Sequence, residues 1–412
     1  MQNDFDRKYK LTEEDVTVKS GALALLNETV MRIVPESGKL LFIADKRFDK
    51  VKIVYDVLTR KFRTDMVEVS SVNKKAALSV SVGEDVKAVV CAGGGGVSDM
   101  AKYVAARHNL PLVCVVLSQA TAGYLIPSAM LKGDGGYIEV YKVAPPRFLI
   151  ADTALFENSD RLNAAGFGEV CSRLTAIFDW QLSHVLKGEE YTKSTVDKAV
   201  AVIGDLLYKA CKGEAGSAET GSAAIKLSLI ASKCGNSRLM CGGDAQLTHA
   251  FSLLCKRKNR EVKLQGENEM LFSCIAMRAY LMLLARPLPQ TVSVPDNNAR
   301  LDYMSVKLGV SPFRAMDKIT DCLPYGDLSR MLFILREYRA ELTDRAVIYE
   351  KTLSFALKLF KRLYKDKGYS YNNYLSADDV KVCIALAPEM REKFTCFTLM
   401  KQLGLLDGFL RR

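Results

Sequence analysis

The sequence predicts an N-terminal α/β domain built on a parallel sheet, followed by an all-α C-terminal domain. Three observations carry this expectation. Apolar runs and helical patterns alternate through the first 150 residues, the rhythm of a parallel sheet with helices on its faces. One of those runs ends in four consecutive glycines, Gly93, Gly94, Gly95 and Gly96. Glycine costs backbone entropy, so a conformation or a close approach must require the run. After Asp152 the pattern changes to long amphipathic helices. The boundary is therefore drawn near 153, with 1–153 as a nucleotide-binding α/β domain and 154–412 as a helical domain.

The elements follow in order. KLLFIADK (39–46) is an apolar run closing in charge and reads as a buried strand. VKIVYDVLTRKF (51–62) has helical spacing, and TDMVEVS (64–70) is a second strand. VKAVVCAGGGG (86–96) is a third strand that runs into the glycines. SDMAKYVAARHN (98–109) is a helix with Ser98 as its cap. LPLVCVVLS (110–118) is a fourth strand. GGYIEVYKVAPPRFLIAD (135–152) holds two short extended runs around a Pro-Pro break. The helices beyond it span 166–188, 192–211, 219–233, 243–256 and 268–286, with several more to the end. Gly235 supplies a stop signal for the third of these.

Of the 412 residues, 49% are apolar, enough for a sizeable core. The first ten residues, MQNDFDRKYK, are polar and do not read as a secretory signal. No eighteen-residue window is uninterruptedly apolar, which argues against a membrane span. The expected setting is soluble and cytoplasmic. The cysteines number eleven, an odd count, and no C-x-x-C pair occurs. That suits reduced thiols in a core and argues against disulfides or a thiolate zinc site. The net charge is +11. The densest basic run, KRKNREVK (256–263), lacks interleaved aromatics and reads as a solvated face, with no nucleic-acid partner implied. A basic surface also favours phosphorylated substrates and nucleotides.

Two readings of the glycine run stay open on spacing alone. It is either a tight strand-to-helix turn or a phosphate cradle, in which backbone N–H groups and a helix N-terminus face an anion. It is neither G-x-G-x-x-G nor a Walker loop.

GGGGVSDMAKYVA (93–105) resembles the GGGxxxDxAK element of the group containing iron-containing alcohol dehydrogenases, glycerol dehydrogenases and dehydroquinate synthase. Residues 146–191 are similar to one branch of it, sn-glycerol-1-phosphate dehydrogenase. The matching residues are Ala151-Asp152-Thr153, Arg161, Ala165-Gly166, Gly168, Thr175-Ala176 and Asp179-Trp180. The resemblance runs from about residue 20 to 290 and matches the helices past residue 300 poorly, including KLFKRLYKDKGYSYNNY (358–374). It implies a Rossmann-like nucleotide-binding domain, NAD or NADP as cofactor, a phosphorylated polyol or related alcohol as substrate, and a homodimer or larger assembly. It also implies that Gly93 to Gly96 bind the pyrophosphate, that Asp99 and Lys102 lie toward the nicotinamide, and that Asp45 faces the adenosine ribose. Ser118 and Gln119 stand where the family has a Pro-Thr that touches the nucleotide.

The family's metal, zinc or iron, is held by one Asp and two His. Here those positions are Glu169, Ala245 and Gln265. Alanine has no donor, and a Gln carbonyl is a poor ligand for zinc or iron beside imidazole. The chain has only His108, His184 and His249. His184 lies fifteen residues beyond Glu169 on one predicted helix, roughly 22 Å away. Zinc and iron are therefore not expected. The family's substrate-binding Asp is replaced by Tyr124. Without a metal, Tyr124 or His249 would have to take the alcohol proton. Three functions remain: an NAD(P)-dependent oxidoreductase, a catalytically inactive nucleotide sensor or scaffold, and a dehydroquinate-synthase-like cyclase, with Arg173 a candidate for substrate phosphate.

Overall fold

The computed structural model describes residues 11–133, 137–290, 297–311, 316, 323–364 and 374–406. The N-terminal decapeptide, Gly135 and Gly136, Cys322, and residues 365–373 of the segment 358–374 lie outside the described residues.

The sheet strands are β1 (Val16–Lys19), β2 (Lys39–Asp45), β3 (Arg63–Val69), β4 (Val86–Gly93), β5 (Leu112–Val116) and, after a hairpin, β8 (Phe148–Asp152). They form one sheet in the order β1-β8-β5-β4-β2-β3, parallel at every pairing. The hairpin is antiparallel, β6 (Ser128–Lys132) with β7 (Ile138–Lys142). The central strands are mostly apolar because both of their faces are covered, Lys87 near the start of β4 being the exposed exception. Leu41, Ile43, Val89, Cys91, Cys114 and Val116 enter one core cluster. Leu40, Phe42, Val90, Ala92, Val113 and Val115 enter the other. Alternate residues of a strand point to opposite faces, so one run feeds two cores.

Helix α1 (Leu26–Met31) and helix α2 (Val51–Thr59) cover the second cluster through Leu26, Val30, Val51, Val54 and Leu58. Helix α3 (Lys74–Leu78) and helix α4 (Gly95–Arg107) cover the first through Ala77, Val97, Met100 and Val104. The chain places β3 on one side of β2 and β4 on the other. The strand order thus reverses between β2 and β4, where open α/β sheets carry their ligands, beyond the carboxyl ends.

From α5 (Asp160–Lys187) onward the chain is helical: α6 (Lys193–Lys212), α7 (Ser217–Lys233), α8 (Gly243–Arg257), α9 (Gln265–Ala285), α10 (Asn297–Leu308), α11 (Tyr325–Tyr364), α12 (Ala377–Leu386) and α13 (Cys396–Gln402). The last strand ends at Asp152, and the described elements after it are helical. Packing divides the chain into two compact units, Met1–Val170 with Ala201–Ser237, and Cys171–Val200 with Arg238–Arg412. Helix α9 is long and apolar enough to cross a membrane, and 67% of its apolar window is buried inside the structure, as in a core helix.

Two expectations need correction. Helix α4 starts at Gly95 with Gly94 as N-cap, three residues before the expected Ser98. Ser98 lies inside the helix, buried, and its hydroxyl accepts from the Cys114 thiol at 3.7 Å. Strands β1 and β6 were not foreseen; both are short, and only part of each is apolar.

Candidate dinucleotide and active-site residues

At the reversal of the strand order, the C-terminal residues of β2 and β4 are Asp45 and Gly93. They touch. A Cβ on Gly93 would stand 2.3 Å from the Asp45 Cβ, and its φ of +149° disfavours any side chain. A Cβ on Gly95 would stand 2.5 Å from Cγ2 of Thr121. Gly93 and Gly95 are thus required by the protein's own packing. The other two are not. A Cβ on Gly94 would meet Phe48 at an ordinary 3.6 Å, and one on Gly96 would meet Val72 at 3.4 Å. Both open α4, whose first-turn N–H groups have no acceptor within the helix and carry its positive end.

Asp45 is fully buried and already engaged. Its Oδ1 accepts from Nε of Arg47 at 2.8 Å and from the Arg47 amide at 3.2 Å. Its Oδ2 accepts from Nη2 of Arg47 at 2.8 Å and from the Gly94 amide at 3.4 Å. The carboxylate that the resemblance places toward a ribose is paired with Arg47 in this structure. Sequence reading missed Arg47, whose signal is a basic residue two positions beyond a strand-end acid.

Lys102 is also engaged. Its ammonium is buried and donates to Asp99 Oδ1 at 2.6 Å and to the carbonyls of Ser128 (2.6 Å), Gly123 (3.2 Å) and Ile126 (3.3 Å). It ties α4 to the segment after β5 and so orders that segment. Asp99 remains partly exposed beside it.

The loop after β5 is held by further contacts. Ser118 Oγ accepts from the Ala120 amide at 3.2 Å, and Gln119 Nε2 donates to the Glu157 carbonyl and to Ser217 Oγ, each at 3.0 Å. Glu169 is buried, and its Oε1 accepts from the Ala122 amide at 2.9 Å and Thr121 Oγ1 at 3.2 Å. A Cβ on Gly166 would stand 2.1 Å from the Gln119 carbonyl oxygen, so glycine lets α5 lie directly on this loop. Tyr124 is 1% exposed within the apolar core, and its hydroxyl donates to the Ser118 carbonyl at 2.7 Å. Burial raises its pKa well above the ordinary tyrosine value. In this structure Tyr124, the expected proton acceptor, is a core residue with its ring buried.

In the second unit, the remaining family metal positions lie on α8 and α9. Ala245 is buried and offers no donor. Gln265 is exposed at the start of α9, and its Nε2 donates to Glu269 Oε1 at 2.8 Å. Glu269 Oε2 accepts from Nη2 of Arg173 at 2.7 Å and from Ser172 Oγ at 3.3 Å. Arg173 also donates to the Met240 carbonyl at 2.9 Å. Arg173 and Glu269 are each 1% exposed, so Arg173 is not open to a substrate phosphate. Asp244 is fully buried near this pair, and no side chain among the described residues donates to it. Burial, then the Glu269 charge, holds its carboxyl well above the ordinary range. Sequence reading missed Glu269, though it lies four residues after Gln265, on the same helix face.

His249 is buried on α8, with Nδ1 3.2 Å from the Met390 carbonyl. His184 is exposed, its Nδ1 2.7 Å from the Glu189 carbonyl, and His108 is exposed at the C-cap of α4. Asp179 and Trp180 are packing residues. Asp179 accepts from the amides of Gly243 (2.7 Å) and Cys396 (2.8 Å) and from the Tyr280 hydroxyl (3.0 Å). Burial nonetheless pushes its pKa up to about 7. Trp180 Nε1 donates to the Glu190 carbonyl at 2.8 Å. Among the described residues, no group of three His, Cys, Asp or Glu side chains stands close enough to hold a metal ion.

Residues 17–159 match the family described as iron-containing alcohol dehydrogenase. The chain is 30% identical over 201 residues to a glycerol-1-phosphate dehydrogenase (NAD(P)+) of Methanosphaera stadtmanae, covering 46% of this chain and 58% of that one. It is 27% identical over 283 residues to the enzyme of the same name from Thermococcus kodakarensis, covering 66% and 75%. The chain thus spans little more than half the length of the first relatives it matches. Among solved structures, an iron-containing alcohol dehydrogenase from Thermotoga maritima superposes with a TM-score of 0.55 at 14% identity, over 97% of this chain and 98% of that one. Maleylacetate reductase from Agrobacterium tumefaciens gives 0.55 at 12% identity, over 95% and 94%. At such identities the likeness shows the fold.

Proposed function

We propose that this chain, a relative of the glycerol-1-phosphate dehydrogenases within the iron-containing alcohol dehydrogenase superfamily, binds NAD(P) at the carboxyl ends of β2 and β4 and oxidises or reduces a polyol phosphate by hydride transfer. The observation that carries this is the split among the four glycines. Gly93 and Gly95 are explained by Asp45 and Thr121, whereas a Cβ on Gly94 or Gly96, at a helix N-terminus, would meet its neighbours only at ordinary contact distances. Backbone without side chains at such a place is what a pyrophosphate needs in order to approach amide hydrogens.

The residues at the family's metal positions do not fit zinc or iron. Catalytic zinc takes three protein ligands and keeps one position open. Glu169 Oε1 already accepts from Ala122 and Thr121, Ala245 has no donor atom, and Gln265 turns its amide nitrogen toward Glu269. A bound NAD(P) would supply the hydride acceptor for the carbinol carbon in the oxidative direction, and the hydroxyl proton would then have to pass to a base of this chain as the C=O bond forms. Of the two proton acceptors the sequence offers, Tyr124 is committed to the core, which leaves His249 as the one to test. Losing a Lewis acid removes several kcal/mol of charge stabilisation, so slow turnover is expected.

A second reading is dinucleotide binding without turnover. It is favoured by the burial of Tyr124 and the closed Arg173–Glu269 pair. One experiment separates the two. The full chain is mixed with NADH and NADPH and followed by nucleotide fluorescence, then assayed with glycerol 1-phosphate, with and without added zinc. Binding plus turnover that is lost in His249→Gln supports the dehydrogenase. Binding without turnover supports the second reading. Absence of binding overturns both. Metal analysis finding one zinc or iron per chain would overturn the metal-free assignment.

A further inference from the structure

The strand-end acid that would ordinarily receive a ribose diol is closed off by its own neighbour. Asp45 is fully buried, and both of its oxygens are engaged by Arg47 through the Nε and Nη2 fork. The Arg47 side chain, by contrast, is 61% exposed. Lys46, beside it, is exposed as well. This end of β2 therefore presents two cations outward, Lys46 and Arg47, with Asp49 an exposed acid two residues on. A guanidinium has five N–H donors, and Asp45 takes two of them. The remaining donors stay available on a fork already fixed in orientation by the buried carboxylate, which lowers the entropic cost of engaging a ligand.

We infer that the adenosine end of the dinucleotide site selects a 2′-phosphorylated ribose, and that Arg47 is the residue that reads the 2′ position. This rests on the dinucleotide reading above and adds to it a choice between the two cofactors. A bare 2′-hydroxyl would need an acceptor, and reaching Asp45 would require displacing Arg47 and leaving a buried carboxylate unpaired. A phosphate dianion instead meets a planar, permanently charged fork suited to its oxygens. The acid sets the orientation of Arg47, and Arg47 contacts the ligand.

The test uses the full chain and two pairs of probes: NADPH against NADH by fluorescence titration, and adenosine 2′,5′-bisphosphate against 5′-AMP by calorimetry. The phosphorylated member of each pair should bind about tenfold tighter or more, and raising the salt concentration should narrow the difference. In Arg47→Ala the preference should vanish through weaker NADPH binding, while Arg47→Lys should keep part of it. Should Arg47→Ala fail to fold, the wild-type comparison and Arg47→Lys still decide. Equal or reversed affinities in the wild type overturn the inference and leave the dinucleotide reading standing. A preference that survives Arg47→Ala overturns the assignment to Arg47. Failure of the wild type to bind any of the four probes overturns both readings.

Discussion

The β2–β4 end of the sheet and the α8–α9 helices carry residues from one and the same family resemblance, yet their polar groups are used in opposite ways. Around the glycines, the protein's own packing accounts for two of the four positions and leaves the missing side chain unexplained at the other two. Along α8 and α9, the charged groups are consumed by one another. Arg173 bonds to Glu269, Gln265 bonds to Glu269, and Ala245 offers nothing. The difference teaches that a retained motif and a usable site are separate properties. Lys102 makes the same point within the sheet unit, for it matches the family and yet is fully committed to loop carbonyls.

The comparison breaks most forcefully if the closed pair is not needed. Arg173→Ala removes the cation from a buried carboxylate, Glu269, that has the buried Asp244 nearby. An uncompensated buried charge costs about 3–5 kcal/mol. Chemical denaturation should show a loss of that order. A variant as stable as the wild type would mean that the α8–α9 groups are open, and that the contrast drawn above is false.

A second effect belongs to Asp179, at the centre of the helical unit. Its pKa is raised from 3.8 to about 7 by burial. Between those values the folded chain holds a proton that the unfolded chain has released, so stability falls as pH rises through the window. The contribution is fully present below about pH 4 and gone above about pH 7. Asp179→Asn cannot titrate, so the stability of the wild type relative to it should decline across this range, by a few kcal/mol at most, and level off above. A flat difference from pH 4 to 8 would mean that Asp179 stays ionised through its three donors.

Much of this was legible in the sequence. Strands β2, β4 and β5 announce themselves as apolar runs, and α6 to α9 begin and end within three residues of their expected limits. Side-chain engagement was not legible. Nothing in the spacing of Asp45 and Arg47 says whether the acid faces a ligand or its neighbour, because both are reached from the same strand end. Tyr124 follows a glycine in a polar-looking loop, and only the fold reveals that the loop turns it into the core. The four glycines read as one motif, although they divide into two kinds once Asp45 and Thr121 are in place.

That division gives a third prediction. Gly93→Ala must force a Cβ against Asp45 at a φ of +149°. Backbone strain of this kind costs about 1–3 kcal/mol, and the melting temperature should fall accordingly. Gly95→Ala, facing Thr121 at 2.5 Å, should fall too, although the Thr121 side chain has more freedom to shift.

The smallest effect on stability is the most telling. Gly96 lies in the first turn of α4, and its nearest neighbour across the gap is Val72 at 3.4 Å, so alanine fits. Removing a glycine from a helix where the backbone already suits alanine stabilises by up to about 1 kcal/mol. Gly96→Ala should therefore melt at or slightly above the wild-type temperature. Dinucleotide affinity should move the other way, by about tenfold, because the new methyl group crowds the amides that an anion must reach. Opposite signs in the two measurements would separate ligand approach from packing at a single residue. Unchanged affinity alongside unchanged stability would show that this glycine serves neither purpose, and the β2–β4 end would then lose the openness that sets it apart from α8 and α9.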